Sequence, residues 1–271
     1  MRAVSGDVEL DYEVRGTGPE LVWLHGLSGS LDESRPLCEH LSTRFRVLWY
    51  STRGHGRSSP VHDRHRYSYE VIAADLERML DHVGFAHPVV AGGSHGANTA
   101  LRHALRYPGR ARALLLVAPG ANAVRRPDRL RWALVRGQMG LAARRGEPAV
   151  VKAITGHDPR DPTLDAAGRA AVAAARTHDL ASLLSAMRLI PDQQVVPPRA
   201  LAGLRVPTTV AAWAKDPVLH PIAVARRIAA LVPEAQFVQM PRPGTLSPAE
   251  AGALMAGWVD DLLGRSPGPH K

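Results

Sequence analysis

Residues Pro88–Thr99 read PVVAGGSHGANT, an apolar run followed by Gly92, Ser94 and Gly96 in the spacing G-x-S-x-G, and then a helix-forming stretch. A serine so placed sits on a sharp strand-to-helix turn that lifts its hydroxyl above the end of a sheet. Small residues on either side let strand and helix approach closely enough for that turn. The pattern is short, and a glycine-rich turn that merely includes a serine would satisfy it, so its surroundings must decide.

Working outward, strand-like and helix-like runs alternate almost throughout. Val8–Val14, Leu21–Leu24, Arg46–Tyr50, Pro88–Ala91, Ala113–Val117, Thr208–Ala212 and Gln236–Met240 read as strands. Several are near-continuous apolar runs, as expected of parallel strands covered on both faces. Tyr69–Val83, Ala97–Tyr107, Pro221–Leu231 and Pro248–Leu263 carry helical periodicity, the last with Ser247 as N-cap and Glu250 at the capping-box position. This alternation predicts an α/β fold with a mostly parallel, doubly wound sheet. Residues 121–199 break it with Ala-, Leu- and Arg-rich helical pieces, interrupted at Pro127, Gly146–Pro148 and Pro159–Pro162. They read as a helical cap inserted into a core of residues 1–120 and 200–265. The tail, 266–271, reads as frayed.

Two further motifs stand at strand ends. Leu21–Ser30 reads LVWLHGLSGS, a strand running into His25-Gly26, and Ser51–Ser58 reads STRGHGRS after the next strand. With G-x-S-x-G third in order, the chain resembles the α/β-hydrolase superfamily over nearly its whole length. Ser51 departs from the pattern, standing where aspartate is more usual. The resemblance implies the α/β-hydrolase fold with Ser94 as nucleophile and the backbone N–H groups of Leu27 and His95 as oxyanion hole. It also implies an acid after the strand that follows the cap. Val206–Pro221 reads VPTTVAAWAKDPVLHP, which puts Asp216 there.

The family's catalytic histidine comes last, in a Gly-His step after the final strand. Here Gly244 is followed by Thr245, and Glu250 keeps the register of the next helix. A threonine hydroxyl cannot accept a proton near neutral pH, and a serine without a base is a poor nucleophile. Losing one triad member costs on the order of 10⁴–10⁶-fold in well-studied hydrolases. His95, beside the nucleophile, is the first substitute acid or base. His220 closely follows Asp216 but is expected at the start of a helix, aimed elsewhere. His25 is expected in the His-Gly turn, packed or against substrate, and His55 is assigned no role.

Composition narrows the function. The formal net charge is +9, with arginines spread along the chain and one concentration at Arg125, Arg126, Arg129 and Arg131, read as a solvated helix face. No nucleic-acid partner is implied, and a homo-oligomer stays open. Cys38 is the single cysteine, so no intrachain disulfide framework can form. The N-terminus lacks the apolar block of a signal peptide and no stretch has membrane-span length, giving a cytoplasmic expectation with no membrane partner. No metal site, dinucleotide fingerprint or other cofactor motif is visible.

Trp132, Met139 and Met187 in the cap, with His25 below, are expected to line a site for a small-molecule substrate. The first reading is an enzyme acting on a small, mainly apolar carbonyl compound, an ester, lactone or thioester, with an atypical triad. The alternatives are a cofactor-free lyase, isomerase or cyclase, and a non-catalytic ligand-binding protein or engineered inactive variant.

Overall fold

In the computed structural model the chain begins with β1 (Arg2–Ser5) and β2 (Val8–Arg15), an antiparallel hairpin turned at Gly6, whose φ of 60° suits a residue without a Cβ. Residues 1–124, 129–189, 193, 195–214, 219–241 and 245–265 are described. Then follow β3 (Glu20–Leu24), α1 (Leu31–Leu41), β4 (Arg46–Tyr50), α2 (Tyr69–Val83), β5 (Val89–Gly93), α3 (His95–Arg106) and β6 (Ala113–Val117). After a helical stretch come β7 (Thr208–Trp213), and later β8 (Gln236–Met240).

The strands form one eight-stranded sheet in the order β1-β2-β4-β3-β5-β6-β7-β8. β2 pairs antiparallel with β4, and every neighbour from β4 to β8 is parallel. This is the α/β-hydrolase arrangement that the motifs imply.

Strand periodicity divides the core into two layers. Val22, Leu24, Leu48, Tyr50, Val90, Leu114, Leu116 and Val210 face α2, α3 and α9 (Ile222–Leu231). Their neighbours Leu21, Trp23, Val47, Trp49, Val89, Leu115 and Val117 face α1 and α10 (Pro248–Arg265). Ser247 Oγ accepts from the Glu250 N–H, and a Glu250 carboxylate oxygen accepts from the Ser247 N–H, closing a capping box at the start of α10.

Between β6 and β7 run α4 (Arg129–Arg144), α5 (Glu147–Thr155), α6 (Ala166–Ala175), α7 (Leu180–Leu189) and the short α8 (Pro198–Leu201), with no strand among the described residues. Met139, Val150, Leu183 and Met187 give them an apolar centre, and Leu27 of the core packs against it. No helix among the described residues is long and apolar enough to cross a membrane.

Two elements go beyond the sequence expectation. β1 is too short to read as a strand alone and exists because β2 pairs with it. α1 carries Pro36 inside it, a residue that reads as a helix breaker. The helix is secured by Ser30, whose hydroxyl accepts from Glu33 N–H, and by Leu31, Cys38 and Leu41 packing into the core.

Candidate active site

Parallel pairing brings the motifs together. Leu24 is in register with Gly92 on β5, so the turns after β3 and β5 leave the same edge side by side. α1 then packs on one face and α3 on the other, which opens a crevice between the two turns. Ser94 caps α3 with φ 54° and ψ −110°, a left-handed conformation that costs a non-glycine residue on the order of 1–3 kcal/mol. Neither flanking glycine could carry a side chain. A Cβ on Gly92 would lie 2.6 Å from the Gly96 carbonyl carbon, and one on Gly96 would lie 2.1 Å from the Leu24 oxygen.

The Ser94 hydroxyl meets a histidine. Nε2 of His220 lies 2.8 Å from Ser94 Oγ, within the reach that proton abstraction needs. This corrects the expectation that His220 points elsewhere. It precedes α9 as predicted, but β7 lies two strands from β5 in the sheet and parallel to it. Its following loop therefore ends over Ser94. His220 is half-buried and packs edge-on against Trp213, centroids 5.6 Å apart. Thr245, in the register where histidine was expected, is exposed and is not among the residues lining the cavity at Ser94. Asp216 and Gly244 lie outside the described residues.

His95 is not the group on the nucleophile. Its ring is buried, and Nδ1 lies 3.0 Å from the Tyr69 hydroxyl. Burial, followed by the nearby His55, pulls its pKa down to about 3. A neutral imidazole so hard to protonate makes a poor general base at neutral pH.

The backbone after β3 is held by rings on successive carbonyls. The Gly26 oxygen accepts from His25 Nδ1 at 2.6 Å, the Leu27 oxygen from His55 Nε2 at 2.7 Å, and the Ser28 oxygen from His178 Nε2 at 3.1 Å. His25 Nε2 in turn accepts from the Thr52 N–H, and His178 Nδ1 from the Gly56 N–H. The turn reading STRGHGRS thus braces the His-Gly turn. Its Arg53 is anchored by two bonds to buried Asp75. Ser51 accepts from the Leu31 N–H at the start of α1, where it lies so close to Gly56 that a Cβ there would be 2.4 Å from its hydroxyl.

With the carbonyls engaged outward, the N–H groups of Leu27 and His95 find no acceptor among the described residues. Burial is the first cause that depresses the pKa of His25, His55 and His178, the last to about 4.

A cavity of about 220 Å³ opens at Ser94, and its walls include Leu27, Trp132, Val135, Met187, Leu219 and His220. Trp132 and Met187 are thus among the residues around the cavity at Ser94. Two others are not. Met139 packs inside the helical segment with Leu183 and Met187. His25 is buried behind the turn with both ring nitrogens bonded to backbone, and does not line the cavity. Arg125 and Arg126, and the side chains of Arg129 and Arg131, lie outside the described residues.

Sequence reasoning missed His55 and His178. His55 could have been found, since it stands in a motif of the resemblance. His178 carries no local signal: it belongs to the β6–β7 segment and meets Ser28 only through the fold.

Comparison with known proteins gives the family. The family model for the alpha/beta hydrolase fold matches residues 19–248. A protein named uncharacterized hydrolase YraK, from Bacillus subtilis, is 32% identical over 99 residues, and the match spans 36% of each chain. RutD of Azorhizobium caulinodans, named as a candidate carbamate hydrolase, is 29% identical over 242 residues, 88% of each chain. Among solved structures, the enol-lactonase from Burkholderia xenovorans superposes with a TM-score of 0.75 at 24% identity, over 98% of this chain and 100% of that one. That last likeness is one of fold.

Proposed function

Because the chain belongs to the α/β-hydrolase fold family, we propose that it is a serine hydrolase of small, mainly apolar esters, lactones or thioesters, with His220 as its general base. The observation that carries this reading is the 2.8 Å contact between His220 Nε2 and Ser94 Oγ. A serine so paired is an activated nucleophile, and the alternatives without an acyl-enzyme answered a missing base.

The chemistry runs as follows. Ser94 Oγ attacks the carbonyl carbon while His220 Nε2 takes its proton. The resulting oxyanion accepts from the N–H groups of Leu27 and His95. The carbon–oxygen or carbon–sulfur bond to the leaving group then breaks, and His220 returns the proton to that group. A water attacks the acyl-serine, again losing its proton to His220, and the collapse that frees the acid returns this proton to Ser94. This requires Nδ1 of His220 to carry its own proton. Asp216, shortly before it in sequence, is the carboxylate we assign to hold that tautomer. The β6–β7 helices act as the cap, and Trp132, Val135 and Met187 give the cavity the apolar wall that selects small apolar acyl groups.

Labelling with a fluorophosphonate tests the reading. The wild-type chain is expected to be modified at Ser94, and His220→Gln to react at least ~10³-fold more slowly. Equal rates in the two proteins would remove His220 from the mechanism.

A further inference from the structure

Beside the nucleophile lies a buried polar group that hydrolysis at Ser94 does not use. Tyr69, His95, Asn98 and Asn122 all contribute to the cavity wall. Burial pushes the Tyr69 phenol up to a pKa of about 12, so it keeps its proton. Asn98 Nδ2 donates to the phenol oxygen at 3.3 Å and to Asn122 Oδ1 at 2.8 Å. The Asn122 side chain also bonds to the phenol; an amide nitrogen has no lone pair to accept with, and we assign the phenol proton to His95 Nδ1, at 3.0 Å.

That contact fixes the tautomer. With Nδ1 accepting, the single proton of the neutral imidazole sits on Nε2, which is buried and has no hydrogen-bond partner among the described residues. A buried donor without a partner is disfavoured, and native structures seldom keep one without a reason. His95 is one of the residues in the cavity wall, and the partner we assign to this donor is an acceptor that arrives with the ligand. Among the described lining residues there is no lysine or arginine to offset the desolvation of a carboxylate.

We propose that His95, oriented by Tyr69, is a specificity-determining residue, and that the substrate carries an uncharged oxygen acceptor, an ether or second carbonyl, in addition to its scissile carbonyl. This rests on the hydrolase reading for the nature of the scissile group, while the acceptor subsite itself can be tested by binding alone. His95 then has two parts: its backbone N–H serves the oxyanion, and its ring reads the rest of the acyl group.

Matched esters that differ by one oxygen provide the test. p-Nitrophenyl methoxyacetate is paired with the butanoate, and the 3-methoxypropanoate with the pentanoate. Ser94→Ala protein is titrated with each, so that affinity is read without turnover. In at least one pair, the ether is expected to bind about tenfold more tightly than its methylene counterpart.

His95→Leu in the same background should bring the two affinities together. His95→Gln, which keeps an N–H donor, should retain part of the preference. Tyr69→Phe frees the proton to sit on either nitrogen and should weaken the preference. Equal affinities in both pairs for the His95 protein, or a preference undiminished by His95→Leu, would overturn the subsite. Turnover and Ser94 labelling of the wild-type chain are measured separately. If labelling fails while the affinity preference stands, the hydrolase reading falls and the subsite survives.

Discussion

Histidines stand on two sides of Ser94, and the two regions treat them differently. On one side is His220, half-buried, at the end of the β7 loop, with Nε2 on the Ser94 hydroxyl. On the other, His25 and His55 are buried and His178 is half-buried around the turn after β3, while His95 is buried at the start of α3, and desolvation lowers the pKa of each. A buried imidazole loses the proton affinity that general-base work needs but keeps a well-placed N–H. His25, His55 and His178 therefore brace backbone carbonyls, whereas His220 meets the serine hydroxyl. One residue type serves two purposes here, and the partner each ring meets assigns them.

The largest effect that would break this contrast is at His220. Replacement by glutamine keeps a polar side chain of similar reach but removes the base. The kcat for a short-chain p-nitrophenyl ester is expected to fall on the order of 10⁴-fold, as when a triad member is lost. A fall of less than tenfold would mean that a ring from the buried side does the work, and His95→Leu should then produce the large loss instead.

His178 sharpens the contrast from the other side. It touches no reacting atom; it holds the Ser28 carbonyl beside the turn whose Leu27 N–H we assign to the oxyanion. Loss of an oxyanion donor outright costs about 10²–10³-fold in kcat. Loosening its backbone should cost less, so His178→Ala is expected to lower kcat by roughly 10–100-fold with KM within about threefold. His178→Gln, whose amide can donate to the same carbonyl, should recover part of the loss. A change in KM alone would assign His178 to substrate contact.

How much of this could be read in advance follows the range of the interactions. The strands from Arg46 to Tyr50 and from Ala113 to Val117 fall where alternating and apolar runs put them, because burial of a parallel strand writes itself into consecutive residues. The Ser94 turn was legible because its glycines are demanded by local contacts, Gly92 with Gly96 and Gly96 with Leu24. The direction of His220 was not legible. It depends on where a loop ends above the sheet, which no periodicity records. His178 reaches Ser28 across the fold for the same reason, and α1 was hidden by Pro36.

Acid should separate the two groups of rings thermodynamically. Burial has lowered the folded-state pKa of His178 to about 4 and of His95 to about 3, against about 6.5 in an unfolded chain. Below pH 6.5 the unfolded chain binds protons that the native one refuses, so stability falls as pH falls, and continues to fall until the folded pKa is passed. Between pH 6.5 and 5 each such ring costs up to about 2 kcal/mol. Urea midpoints over this range should drop steadily, and the slope should be shallower in His178→Ala. A midpoint unchanged from pH 7 to 5 would mean that these rings are solvated, and the contrast with His220 would disappear.

The smallest effect is expected at Thr245, where the family pattern leads one to look first. Its side chain is exposed and outside the cavity wall, while Ser94 Oγ is already within hydrogen-bond distance of an imidazole. Thr245→Ala should therefore leave kcat/KM within about twofold, the range typical of a surface substitution. Thr245→His should do little more in the wild-type background, since a second imidazole offers the nucleophile nothing that His220 does not. The informative protein is the double variant. In the His220→Gln background, Thr245→His is expected to restore less than tenfold of the lost activity, because a side chain directed to solvent must reorient the turn before α10 to reach Ser94. Restoration beyond tenfold would show that the loops after β7 and β8 can both deliver a base to the same serine. The position of the histidine would then be a matter of which loop carries it, and the assignment of His220 would rest on its occupancy of the site rather than on unique reach.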